Sequence, residues 1–209
     1  MITVISYREA TKYSDLFYGQ FRLRHREFVA RQAYAVRSID SMEFDQFDTL
    51  ASVYLVYSED GRNVLGCSRL TPVSYGCMLA DLFPQLVDDK TLFERPRVWE
   101  GTRFCVDSRL HPDVRRRICQ HISFGYIEFA LANGIECIVG LMPTMILKTV
   151  FEHNGVKLNP LGPVRKVGKH TRVQAASIAI NADQLAAIST RTGLSNVLGF
   201  ASAPLRHVG

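Results

Sequence analysis

One segment of ten residues restricts how this chain can fold more than any other. Residues 98–107 read VWEGTRFCVD, lie between two prolines and are rich in the β-branched and aromatic residues typical of a β-strand. Side chains alternate between the two faces of a strand, which places Glu100 and Arg103 on opposite sides. Because burying an unpaired charge is costly, such a strand lies either at a sheet edge or along a polar site. A bulge at Gly101 would instead bring both charges to one side.

The order of the other elements predicts the fold class. Helical and strand patterns alternate along the chain, with helices expected at about 9–31, 112–133, 144–153 and 181–188, a hairpin over 52–70, and strands at 136–142 and 171–180. This order predicts an α/β fold, a single domain built as a three-layer α-β-α sandwich. We expect the domain to span residues 1–190, and residues 191–209 to form a loosely ordered C-terminal tail.

Charge and cysteine usage narrow the class of protein. The formal net charge is +5, and basic residues cluster at 115–117 and 165–172, which suits an acidic partner, a nucleic acid, a membrane surface or simply a solvated face. No nucleic-acid-binding motif and no apolar run of membrane-spanning length is found. Five cysteines without a CxxC pair and six histidines without ligand spacing argue against a disulfide or metal framework. The short apolar start cannot serve as a signal-peptide core, so we expect a cytoplasmic protein.

The first helix carries a charge on its apolar side. Spacings of three or four residues place Tyr13, Phe17, Phe21, Arg24 and Phe28 on one stripe. Arg24 then either extends past the stripe to water or holds an anion or a carboxylate.

Further motifs combine into one pattern. They are FRLRHREFV at 21–29, EFDQFD at 43–48, LGCSRLTP at 65–72, MLADLFP at 78–84 and WEGTRFCVD at 99–107. Their order and spacing resemble the LuxI-type acyl-homoserine lactone synthases, the autoinducer synthases of bacterial quorum sensing, over about residues 1–190.

This resemblance implies a mixed sheet similar to that of the GNAT acetyltransferases, and a two-step reaction. The amine of S-adenosylmethionine attacks the carbonyl of an acyl thioester, and its carboxylate then closes on the methionine γ-carbon, releasing methylthioadenosine. Both molecules are substrates, so no cofactor and no metal is expected. The acyl donor is an acyl carrier protein or acyl-CoA, for which the two basic clusters are candidate docking sites. No contact with nucleic acid or membrane is expected, and the protein is expected to be a monomer or weak dimer.

The resemblance also assigns candidate residues for the first substrate. The charged and aromatic positions that recur in the family fall on Arg24, Phe28, Asp45, Asp48, Arg69, Phe83, Glu100 and Arg103. The expected contacts of S-adenosylmethionine are Arg24, Phe28, Tyr34, Asp45, Asp48, Arg69, Arg103 and Phe104. Tyr34 stands where the family usually has a tryptophan. Catalysis is expected from Glu100, Arg103 and Arg24, with Glu100 as the candidate base for the amine proton.

The acyl chain needs an apolar tunnel, for which the candidates are Met78, Leu79, Phe83, Leu141, Met142, Thr144, Ile146 and Leu147. Phe104 is a further candidate for this tunnel. Thr144 either meets a 3-oxo group or caps the helix that follows it.

Two other functions compete with this interpretation. One is a GNAT-type N-acyltransferase that uses acyl-CoA on a different amine, and the other is a ligand-sensing module without turnover. The turn at residues 111–113 is not glycine-rich, which argues against the first. The joint presence of Glu100, Arg103 and the acidic segment 43–48 argues against the second.

Overall fold

The computed structural model describes residues 1–167 and 171–199. Its strands are β1 (Ile2–Ser6), β2 (Ser38–Ile39), β3 (Met42–Glu43), β4 (Val53–Tyr57), β5 (Gly66–Pro72), β6 (Val98–Val106), β7 (Cys137–Pro143), β8 (Asn159–Pro160), β9 (Arg165–Val167) and β10 (Thr171–Ala179). One sheet has the order β1-β4-β5-β6-β7-β10-β8, with β9 also paired to β10. Its neighbours run antiparallel except β6 and β7, which confirms the mixed sheet.

Five α-helices lie within the described residues. They are α1 (Ser14–Arg24), α2 (Met78–Leu82), α3 (Pro112–Ala132), α4 (Thr144–Ile146) and α5 (Ala182–Thr192). Proline occupies the first position of α3, and the Asn181 side chain accepts a hydrogen bond from the Gln184 amide at the start of α5. Gly193, with φ of +73°, ends α5. None of the helices in the described ranges is long and apolar enough to cross a bilayer.

The sheet is covered on both faces, which confirms the three-layer sandwich. Helix α1 packs its aromatic stripe over one side of β1, β4 and β5, in a core that includes Phe17, Phe21 and Tyr54. On the same face, the segment 73–95 covers β6, β7 and β10 through a second core that includes Leu79. Helices α3 and α5 cover the opposite face, where Ile122 and Ile188 belong to the largest core.

The two central parallel strands separate part of the way along. Strands β6 and β7 pair only from Val98↔Cys137 to Glu100↔Val139, although both strands continue further. Backbone groups on the facing edges beyond Glu100 are therefore not bonded across the gap.

Two segments in the C-terminal half differ from the sequence expectation. The helix expected at 144–153 is divided into α4, a π-helical turn over Leu147–Phe151 and a 3-10 turn over Glu152–Asn154. The expected loose tail contains the end of α5 and a docked segment, because Ile2 exchanges backbone hydrogen bonds with Val197 and Gly199. Unpaired groups on the outer edge of β1 give this segment its partners. Residues 200–209 lie outside the described residues.

Candidate active site

A bulge in β6 places its two charged side chains on one face of the sheet. The register with β5 shifts by one residue between Cys67 and Arg69. The positive φ of the bulge, +54°, falls on Arg103, a conformation that is rare outside glycine. The bulge therefore forms at Arg103 rather than at Gly101, and it brings the Arg103 guanidinium to the side on which Glu100 lies.

The same bulge turns Phe104 to the opposite face. Its ring packs edge-on against Tyr126 and Phe151, with centroids 6.2 Å and 6.0 Å away. Strict alternation along the strand would place Phe104 on the same face as Glu100, and the extra residue of the bulge moves it to the other face. The Phe104 ring therefore lies on the α3 side of the sheet, opposite Glu100 and Arg103, and its two candidate roles, in contact with S-adenosylmethionine or in an acyl tunnel, stay predictions.

Arg24 is completely buried and is engaged by two carboxylates. Its Nε donates to Glu43 Oε2 at 2.6 Å, and its two terminal nitrogens donate to the two oxygens of Asp48 at 2.8 Å each. Burial lowers the pKa of Arg24, but the contacts with Asp48 and Glu43 outweigh this and raise it well above its ordinary value. Burial likewise raises the pKa of Asp48, and the Arg24 and Arg69 charges reverse this to hold it below its usual range.

Three arginines and three carboxylates form one closed ring of ion pairs, which we call the ion-pair ring. Its members, in order around the ring, are Arg24, Glu43, Arg103, Asp45, Arg69 and Asp48, with Asp48 returning to Arg24. Charges alternate and sum to zero, so each buried charge has two opposite neighbours. The side chains of Arg103 and Asp45 are 15% and 10% exposed, and the other four are at most 4% exposed. Solvent, and hence a ligand, reaches the ring at Arg103 and Asp45.

Glu43 is a member of the site that the sequence patterns did not predict. Its carboxylate is completely buried and bridges Arg24 and Arg103. Residues 32–50 show little helical periodicity in the sequence, and in the structure β2 and β3 form a hairpin whose turn residues, Asp40 and Ser41, both have positive φ. Glu43 and Asp45 are two residues apart in the motif EFDQFD, a spacing that places both side chains on one face of an extended segment. This spacing is the sequence signal that could have indicated Glu43.

Glu100 lies beside the ring and accepts two backbone hydrogen bonds. The amides of Met78 and Leu79, at the start of α2, donate to its two carboxylate oxygens at 2.7 Å each. Burial raises the pKa of Glu100 to about 7, although both amide contacts and the Arg69 charge favour the ionised form. Met78 also contacts Arg103, whose Nη1 lies 3.7 Å from the Met78 sulfur. Both protonation states of the carboxylate are therefore populated near neutral pH.

Aromatic rings border the exposed side of the ion-pair ring. Phe28 and Tyr34 stack with centroids 6.0 Å apart and planes 7° from parallel. The Arg103 guanidinium lies 5.8 Å from the centroid of Phe28. Phe28 occupies a π-helical turn, His25–Arg31, that continues α1. Tyr34 is 51% exposed and offers its face to a ligand from solution.

An apolar cavity of about 20 Å³ lies on the α3 side of the gap between β6 and β7. Its lining consists of Gly101, Tyr126, Ile138, Val139, Gly140, Met142, Leu147, Phe151, Leu158, Ala176 and Ile178. Gly101 and Gly140 face each other across the gap, since a Cβ on Gly140 would lie 3.0 Å from the Gly101 carbonyl oxygen. A Cβ on Gly101 would lie 2.8 Å from the Tyr126 ring. A side chain at either position would therefore fill the space beside the gap.

The candidate acyl residues do not all converge on this cavity. Met142 and Leu147 line it, whereas Leu79, Phe83 and Leu141 belong to the core on the other face. Their separation follows from strand alternation, because Leu141 and Met142 are consecutive in β7 and point to opposite sides.

Three other candidates for the acyl tunnel lie outside this cavity. Met78 is beside Glu100, and Ile146 is exposed. Thr144 lines a neighbouring cavity and is not the expected helix cap, since Pro143 holds that position.

The basic clusters are partly engaged in ion pairs. Arg116 pairs with Asp113 and Arg117 with Glu59, all on the surface. The second cluster falls partly on residues 168–170, which lie outside the described residues.

Comparison with known proteins identifies the family. The model of the autoinducer synthase family matches residues 5–188. The chain belongs to the autoinducer synthase family. It is 30% identical to the isovaleryl-homoserine lactone synthase of Bradyrhizobium diazoefficiens over 95% of this chain and 88% of the relative. It is 28% identical to an acyl-homoserine-lactone synthase of Pseudomonas aeruginosa, over 87% of this chain and 90% of the relative.

Solved structures of autoinducer synthases share the fold. BjaI, a CoA-dependent acyl-homoserine lactone synthase solved with SAM and isopentyl-CoA, superposes with a TM-score of 0.81 and 29% identity, covering 95% of this chain and 92% of BjaI. The synthase LasI superposes with a TM-score of 0.76 and 25% identity, covering 91% of this chain and 94% of LasI. The family resemblance and the fold class inferred from the motifs are therefore confirmed.

Proposed function

We propose that this autoinducer synthase makes an N-acyl-homoserine lactone from S-adenosylmethionine and an acyl thioester. The amine nitrogen forms an amide bond to the thioester carbonyl carbon, and the thiol leaves with a proton. The carboxylate oxygen then bonds to the methionine γ-carbon while the bond from that carbon to the sulfonium breaks, which releases neutral methylthioadenosine. The observation that carries this proposal is the position of Glu100 and Arg103 on one sheet face, directly beside the gap between β6 and β7.

We assign the substrate carboxylate to Arg103. Arg24 and Arg69 are almost completely buried and fully engaged within the ion-pair ring, whereas Arg103 is the most exposed of the three arginines. A guanidinium binds a carboxylate through two parallel hydrogen bonds. In this proposal Arg24, Asp48 and Glu43 hold Arg103 and Asp45 in place rather than touch the substrate, while Phe28 and Tyr34 offer faces to the adenine and the sulfonium.

Glu100 is the proposed acceptor of the amine proton. A general base works best when its pKa lies near the working pH, and the pKa of Glu100 is about 7. Because both carboxylate oxygens already accept amide hydrogen bonds, we assign the proton transfer from the amine to a bridging water. Backbone N–H groups along the parted edges of β6 and β7 are the proposed donors to the thioester oxygen in the transition state.

The acyl chain is proposed to pass through the gap between the strands into the apolar cavity on the α3 side. Gly101 follows Glu100 in β6 and lines the cavity. Gly140 lies opposite Gly101 on the other side of the gap. The reacting carbonyl would thus lie at the gap, with the amine on one face of the sheet and the hydrocarbon chain on the other.

Acyl-CoA is the donor that we propose. BjaI, the structural relative described above, is CoA-dependent. An acidic carrier protein at residues 115–117 would compete with the ion pairs of Arg116 and Arg117. We place the reaction in the cytoplasm, since the five cysteines are free thiols, as in a reducing compartment.

Product analysis tests the proposed function. Purified protein incubated with S-adenosylmethionine and a panel of acyl-CoA donors is expected to release methylthioadenosine and an N-acyl-homoserine lactone in equal amounts, both measured by mass spectrometry. Release of CoA without methylthioadenosine when another amine is supplied would assign the alternative N-acyltransferase activity. Absence of both products with every donor would contradict the proposal.

Arg103→Ala is expected to raise KM for S-adenosylmethionine by about tenfold or more, because a hydrogen bond to a charged group contributes about 1.5–3 kcal/mol. KM for the acyl donor is expected to change far less. Steady-state kinetics with each substrate varied in turn measures both values. The control is Arg109→Ala, which removes an exposed arginine that pairs with Asp107 just beyond the same strand. Equal rises in both KM values would remove the assignment of Arg103 to the carboxylate.

A further inference from the structure

The cavity at the strand gap, called here the inner cavity, is adjacent to a larger one. This outer cavity of about 360 Å³ is lined by Thr144, Leu147, Lys148, Glu152, Leu158, Pro160, Val164, Arg172, Gln174 and Ala176. Leu147, Leu158 and Ala176 line both cavities. These three residues therefore form a partition with the inner cavity on one side and the outer cavity on the other.

The inner cavity is small, and its lining offers almost no polar group to a ligand. Its volume of about 20 Å³ is far smaller than the roughly 360 Å³ of the outer cavity. Tyr126 is the one residue of the lining with a polar side chain. Because Ser68 donates its hydroxyl proton to the Thr102 carbonyl oxygen, Tyr126 donates its own to Ser68 and has no proton left for a ligand.

The inner cavity is also closed on its aromatic side. Phe104, Tyr126 and Phe151 contact one another with centroids 6.0–6.2 Å apart, which leaves no passage between the rings for a chain. An acyl group that enters past Gly101 meets these rings on one side of the inner cavity and the partition on another.

We propose that Leu147 and Leu158 limit the acyl group to a short chain, by separating the inner cavity from the outer one. This inference rests on the proposed function and adds the substrate class, a short aliphatic acyl thioester. Leu147 is the main barrier, since its side chain is buried in the π-helical turn that follows α4, and Leu158 completes the partition from the segment before β8. Removing either side chain joins the two cavities into one tunnel.

The test compares chain-length profiles of the wild type and Leu147→Ala. We measure kcat/KM with isovaleryl-, butanoyl-, hexanoyl-, octanoyl- and decanoyl-CoA at saturating S-adenosylmethionine. The wild type is expected to prefer the donors of four to six carbons. In Leu147→Ala the ratio of kcat/KM for octanoyl-CoA to that for butanoyl-CoA is expected to rise at least about tenfold, since a single methylene in an apolar pocket already changes selectivity by about 10–200-fold.

Two further variants keep the result interpretable. Leu158→Ala, at a half-buried position, is expected to shift the profile in the same direction and replaces Leu147→Ala if that variant does not fold. Leu131→Ala removes a leucine that packs against the same core but lines neither cavity, and it is expected to keep the wild-type profile. A wild type that prefers octanoyl-CoA or longer donors, or alanine variants with an unchanged profile, would overturn the partition. In both cases the homoserine lactone is still made, whereas failure of the proposed function removes the product with every donor.

Discussion

Arg24→Ala is expected to lower the free energy of unfolding by about 3–5 kcal/mol, because it leaves two buried carboxylates each without one of their two arginine partners and the ring with an uncompensated buried charge. Arg24 supplies three of the hydrogen bonds that hold Glu43 and Asp48, and neither carboxylate can reach water to compensate. Such a loss is a large part of the roughly 5–15 kcal/mol that stabilises a typical domain. Urea denaturation followed by circular dichroism measures it, and turnover is expected to be lost as well.

The matched control is Arg22→Ala. Arg22 lies on the exposed side of the same helix, so its loss is expected to change the unfolding free energy by no more than about 0.5 kcal/mol. Arg24→Lys is expected to fall between the two, since an ammonium keeps the charge but cannot form the two parallel hydrogen bonds to Asp48. Equal stability of Arg24→Ala and Arg22→Ala would contradict the structural role of the ion-pair ring.

Glu100→Gln is expected to slow amide formation by about 10²–10⁴-fold, the usual contribution of a general base. Only the ionised carboxylate accepts a proton, and the pKa of Glu100 is about 7. The single-turnover rate of the wild type is therefore expected to rise as the pH increases through about 7 and then level off. This dependence is expected to disappear in Glu100→Gln. Rapid-quench measurement of the amide product across this pH range checks both statements.

Exposed Glu136, replaced by Gln, serves as the control and is expected to keep the wild-type rate and pH profile. Stability gives an independent readout. Because the pKa of Glu100 in the folded protein is raised above its ordinary value of 4.5, its stabilising effect is complete below about 4.5 and is lost as the pH rises through about 7. Glu100→Gln is expected to flatten that part of the curve of unfolding free energy against pH. An unchanged single-turnover rate in Glu100→Gln would show that another group accepts the proton.

Local patterns predicted the elements of the fold well, because hydrophobic spacing and caps act within a few residues. The aromatic stripe placed Arg24 on the packed face of α1, and the structure finds its guanidinium in the ion-pair ring. The position of the bulge was not predictable in this way. Gly101 is the residue that tolerates unusual backbone angles most easily, yet the positive φ lies at Arg103, whose guanidinium pairs with Glu43 and Asp45.

Long-range contacts account for the rest of the difference. Phe104 follows the bulge and changes face with it, whereas strict alternation along the strand places its ring on the face of Glu100. Glu43 was missed because its role depends on Arg24 and Arg103, which are distant from it in the sequence. Contacts of this kind depend on the register of separate elements, and no local pattern encodes that register.

The gap between β6 and β7 has a consequence for how such a protein can diversify. On the proposed assignment, the groups that hold the common methionine-derived substrate lie on one side of the sheet, and those that measure the acyl chain lie on the other. Substitutions around Leu147 can therefore alter the acyl chain of the product without disturbing the charged residues that bind S-adenosylmethionine. On this proposal, a substitution of one leucine is enough to change the acyl chain of the signal, while the residues that bind S-adenosylmethionine stay the same.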